Sequence, residues 1–141
     1  MSIPTRILPL VLAVACIAPL SAAEDHHHHD HDAAAALGTL TLGGYTVVVK
    51  GEGAAIPGSE WHAYVQLSPA VPAPKAVRIW VGIDSGRGSA KARAEASAKT
   101  PGSFAAHVDV PKPLPAGAQV WVSIETAAGD TVQAAVGMGG K

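Results

Sequence analysis

From Leu37 onward the chain alternates between apolar and polar positions. EWHAYVQL (60–67) sets Trp61, Ala63, Val65 and Leu67 on one face and His62, Tyr64 and Gln66 on the other. That period of two belongs to a β-strand with one face on a core. In FAAHVDV the same reading turns Phe104, Ala106, Val108 and Val110 inward and His107 and Asp109 outward. AVRIWVGID alternates Val77, Ile79, Val81 and Ile83 against Arg78, Trp80 and Gly82. TLTL and YTVVVK flank Gly43-Gly44, a pair that predicts a tight hairpin. AKARAEAS places Lys91, Arg93 and Glu95 on a solvent face, and QVWVSIET and TVQAAVG flank the turn Ala127–Asp130.

Between these segments stand turn-forming breaks: PGS at 57–59 and again at 101–103, and PKPLPAGA at 111–118. Such punctuation is hostile to long helices. The pattern predicts an all-β fold, an antiparallel immunoglobulin-like sandwich of about seven or eight short strands over residues 37–141. The Cys–Trp–Cys core of antibody domains is absent, so only the architecture is expected.

The first 23 residues break the pattern. MSIPTRILPLVLAVACIAPLSAA has Arg6, an apolar run from Ile7 to Leu20, and small residues at Ser21–Ala23, the plan of a signal peptide cleaved after Ala23. The run is shorter than a spanning helix needs and holds Pro9 and Pro19. Export to the periplasm is therefore expected. Ala13-Val14-Ala15-Cys16 resembles a bacterial lipobox without its usual leucine, so a lipid anchor at Cys16 is an alternative and the one route to the membrane.

Between leader and strands lies residues 24–36, which ends in the small-residue connection Ala33–Ala36. Its head, EDHHHHDHD, holds five of the seven histidines of the chain and four acids. So polar a segment cannot bury enough surface to order itself, and His-rich tracts bind metal on composition. A purification tag and a plain solvated tail are the competing readings. Imidazole suits Zn(II), Cu(II) and Ni(II), and carboxylates assist by gathering cations. The expected ligands are His26, His27, His28, His29, His31, Asp30 and Asp32, with Glu24 and Asp25 secondary. If the mature chain starts at Glu24, His26 stands third, as in the amino-terminal copper and nickel motif.

Composition narrows the chemistry further. Cys16 is the sole cysteine, so the domain has neither a disulfide nor a thiolate metal site. The net charge of −1 gives no electrostatic footprint for nucleic acid. DSGRGSAKAR lacks the spacing of a phosphate loop, and no nucleophile motif of the G-x-S-x-G kind occurs, so no enzymatic role is expected. If their strands are neighbours, His62, His107 and Asp109 converge on one exposed site; if not, they are independent surface residues. Met138 is a soft donor that suits Cu(I) or, equally, a loose tail.

A cysteine-free, exported β-sandwich behind a His-rich segment resembles small periplasmic metal-handling proteins of the CopC-type and YtkA-like groups. GSFAAHVDVPKPLPAGAQVWVSIE (102–125) is similar to the late strands of YtkA-like domains. The mature chains of CopC-type proteins begin with a copper-binding His, whereas Glu24 stands here, and the Met-rich copper loop is missing. The resemblance is one of architecture and transfers no ligand. The expectation is a periplasmic binder or buffer of a divalent metal, zinc first, then copper or nickel, with an envelope metal transporter as possible recipient. The alternative is an immunoglobulin-like interaction module of the envelope that binds no metal.

Overall fold

The computed structural model describes residues 33–139 of the 141. The leader with Cys16, and every tract residue from Glu24 to Asp32, lie outside the described residues. The described chain is all-β. Its strands are β1 (Ala35–Leu42), β2 (Tyr45–Glu52), β3 (Glu60–Ser68), β4 (Ala76–Gly82), β5 (Ala92–Arg93), β6 (Glu95–Ala96), β7 (Ser103–Asp109), β8 (Gln119–Glu125) and β9 (Thr131–Val136).

Two antiparallel sheets stack face to face, one ordered β1-β2-β3-β7-β6 and the other β5-β4-β8-β9. Without β1, this is the A-B-E-D against C′-C-F-G plan of an immunoglobulin-like sandwich. β1 is an additional edge strand, joined to β2 by a two-residue turn in which Gly43 and Gly44 both have positive φ, 56° and 88°. Both values demand glycine in such a turn, and Leu42 and Tyr45 pair across it.

Within the strands, the inward faces are those that the alternation predicts; Ile83, expected inward, lies past the end of β4 and is only half-buried. Trp61, Ala63, Val65 and Leu67 meet Val77, Ile79, Val81, Val120, Val122 and Ile124 in one buried cluster. At one side β1 closes on β9, where Gly38 is so near Val136 that an added Cβ would lie 2.8 Å from its Cγ1.

Three details depart from the sequence reading. The first strand starts at Ala35, two residues before the expected boundary at Leu37. AKARAEAS is not one strand but two short ones: Ala92–Arg93 pairs with β4, Glu95–Ala96 pairs with β7, and the chain changes sheet at buried Ala94. That division makes nine strands of eight segments. Trp80 lies on the outer face of its sheet and yet is fully buried. It stacks on Trp121 at 6.0 Å, its Nε1 donates to the Ile83 carbonyl at 2.8 Å, and the Lys91 ammonium sits 4.2 Å above its ring. The loop before β5 thus roofs an aromatic pair.

Candidate metal centre

β3 and β7 are neighbours, and their register sets His62 directly opposite His107. Both project from the outer face of the five-stranded sheet, because their neighbours Trp61, Ala63, Ala106 and Val108 fill the core. The imidazole centroids are 4.3 Å apart with the rings edge to face at 72°. Directly opposed cross-strand residues hold such proximity without help from loops.

Glu60 completes the group. It is the first residue of β3, two before His62, and so on the same face. The turn before it is fastened to the end of β7: Gly58 N–H donates to the Val110 carbonyl at 2.8 Å and Val110 N–H returns to the Ser59 carbonyl at 2.9 Å. Glu60 Oε1 lies 3.0 Å from His107 Nδ1, within hydrogen-bonding distance, and 3.7 Å from His62 Nε2. Ligand atoms of Glu60, His62 and His107 all fall within 4.8 Å of one another. For a tetrahedral ion with bonds near 2.05 Å, adjacent donors stand roughly 3.3 Å apart. The observed separations of 3.0 and 3.7 Å bracket that figure.

A second carboxylate backs the first imidazole. Glu52 of β2 pairs with His62 in the ladder, so Glu52, His62 and His107 form one row across three strands. Glu52 Oε2 is 3.7 Å from His62 Nδ1, the nitrogen that Nε2 coordination leaves over. It also accepts a hydrogen bond from Tyr64 Oη at 2.9 Å. That bond holds the Tyr64 proton in place, and with partial burial and the nearby negative charge it raises the phenol above its ordinary pKa. At 3.7 Å the Glu52–His62 contact is an ion-pair distance rather than a hydrogen bond, so Glu52 places negative charge beside the imidazole without fixing its ring.

Of the domain residues singled out in the sequence, His62 and His107 come together. Asp109 pairs with Glu60 two residues along the ladder and is not part of the cluster; Glu60 is the carboxylate in it. The i, i+2 spacing of Glu60 and His62 was available in EWH, but Glu52 becomes a neighbour only through the β2–β3 register. Met138 packs against the core beside Leu37, so its thioether behaves as an apolar filler rather than a free donor. No protein-family model matches the chain, and neither a curated protein nor a solved structure matches it.

Proposed function

We propose that the protein is an exported binder of a divalent metal ion, zinc foremost with Cu(II) or Ni(II) as competitors, and that the described domain holds one such ion between Glu60, His62 and His107. The observation that supports this reading is the three-donor cluster itself. Two imidazoles and a carboxylate are a borderline-soft set that suits these metals and not Ca(II) or Mg(II). A role in holding or passing on metal in the periplasm, with an envelope transporter as recipient, is what the architectural resemblance to CopC-type and YtkA-like proteins implies.

Two imidazoles and a glutamate with one position left open also occur in hydrolytic zinc enzymes. Storage or transfer fits this protein better. The donors lie on an open sheet face, with side-chain exposures of 42% for His62, 57% for Glu60 and 67% for His107. Three grooves among the described residues are lined by other side chains. An exposed site releases its ion readily and offers no enclosure to a substrate.

Calorimetric titration of Zn(II) into the protein and its His62→Gln/His107→Gln variant tests the proposal. Loss of one stoichiometric site in the variant is the expected result. An unchanged isotherm would remove the ion from the sheet.

A further inference from the structure

The sheet supplies three donors, and a tetrahedral ion takes four. The edge of the same sheet indicates where the fourth comes from. β7 is paired along its whole length with β3 on one side, but on the other β6 covers only Phe104 and Ala105. The cause is the change of sheet at Ala94. Glu95 pairs with Ala105, so Arg93 would be next in line to face His107. Instead Arg93 pairs with Arg78 of β4, and Ala94 N–H donates to the Val77 carbonyl at 2.9 Å. Beyond Ala105 the outer edge of β7 has no ladder partner among the described residues.

The hydrogen bonds at the ends of β7 tell which backbone groups that edge presents. Even-numbered residues bond toward β3: Leu67 N–H donates to the Gly102 carbonyl, and Val110 bonds to Gly58 and Ser59. Odd-numbered residues bond the other way: Ser97 N–H donates to the Ser103 carbonyl at 2.8 Å. His107 and Asp109, both exposed, therefore turn N–H and C=O outward, while their side chains share the outer face of the sheet. An exposed edge of this kind is a template for another strand.

The strand that fits is β7 of a second copy, and one twofold antiparallel register suits it. Setting His107 opposite its own mate requires the backbone groups of Ala105, which Glu95 already pairs. Setting Asp109 opposite its mate brings His107 against Pro111, which has no N–H, and places like charges face to face. With His107 opposite Asp109, both outward residues of both copies are paired by their backbones. That register puts the partner's Asp109 roughly 5.5 Å from His107, Cα to Cα, on the face that carries the cluster.

So short a pairing is too weak to offset the freedom lost on association. Each copy also brings Glu60 and Asp109, opposed across the ladder, to the junction. Their repulsion keeps the edges apart until dications lie among them.

We infer that Zn(II) joins two copies of the protein edge to edge along β7, each ion being held by Glu60, His62 and His107 of one protomer and by the partner's Asp109. The inference rests on the metal-binding reading above. It gives Asp109, which stands outside the cluster of its own chain, a ligand's place in the cluster of the other.

Sedimentation velocity tests this on the complete chain, with Zn(II) as the probe, beside Asp109→Asn and His62→Gln/His107→Gln. The expected result is that one equivalent of Zn(II) per chain doubles the sedimenting mass and that a chelator reverses the change. Asp109→Asn should keep its sheet ion, seen by calorimetry, and stay a monomer. A mixture of the two variants should recover a dimer, because it can form one complete set of four ligands. If the unaltered chain binds its sheet ion and remains a monomer, or if Asp109→Asn dimerises equally well, the junction is overturned and the sheet site stands. If His62→Gln/His107→Gln binds Zn(II) and dimerises like the unaltered chain, the junction and the sheet site both fail.

Discussion

Tyr64 and Glu52 show how much one side chain can set for another. The carboxylate accepts a hydrogen bond from the phenol and so raises its pKa above the ordinary tyrosine value. A raised pKa contributes stability that is complete below the ordinary tyrosine value and is lost as pH rises through the higher folded one. Absorbance titration of tyrosinate should therefore show one phenol ionising late, and Glu52→Gln should bring it back toward 10.0. The Tyr64→Phe difference spectrum assigns the signal. At Gly51 the constraint is steric, since a Cβ there would stand 2.0 Å from Trp61 Cζ2. The Trp61 ring is buried and its Nε1 donates to the Gly53 carbonyl at 3.2 Å, so it has little room to yield. Gly51→Ala should cost about 1–3 kcal/mol through overpacking, read from the midpoint of urea unfolding. Neither contact was legible in the sequence, where Gly51 is merely a small residue at the end of an apolar run. The outward direction of His62 and His107 was legible, because period two fixes faces. Their adjacency was not, because nothing in the chain between them states which strands pair.

Strands tell a similar story. Seven of the eight alternating segments are single strands because apolar residues, many of them β-branched or aromatic, fall at every second position, and Gly43-Gly44 marks its turn without ambiguity. Alternation fails where a segment changes partner. Around Ala94 the pattern of polar residues continues, yet the backbone leaves β4 and joins β7 within three residues. Periodicity registers which way side chains point and is blind to which sheet they belong to. It is also blind to a roof. Trp80 occupies an outer-face position of β4, and only the loop that brings Lys91 back over it makes that position a second, smaller core. Trp80→Ala should accordingly destabilise the domain by about 3–5 kcal/mol, the cost of emptying a large buried site. Lys91→Ala should cost less, about 0.5–1 kcal/mol, as expected for a cation that is itself exposed to solvent. Thermal unfolding of the two variants separates these values.

For the molecule as a whole, a metal that binds only the folded domain adds to its stability. With free Zn(II) at 100 times the dissociation constant the increment is about 2.7 kcal/mol, visible as a rise in Tm. Imidazole must shed its proton to bind, so this rise should shrink between pH 7 and pH 5, and His62→Gln/His107→Gln should abolish the part due to the sheet. The sandwich also distributes its three tryptophans unequally. Trp61 stands between Glu60 and His62, on the inner side of the same strand, while Trp80 and Trp121 are stacked on the outer face of the other sheet. The core, about 10 Å thick, divides them. The fold thereby contains its own optical gauge. An open-shell ion such as Cu(II) at the cluster should quench Trp61 strongly and the stacked pair weakly, whereas closed-shell Zn(II) should leave the emission of all three nearly unchanged. The identity of the bound metal can then be followed by intrinsic fluorescence, without a label.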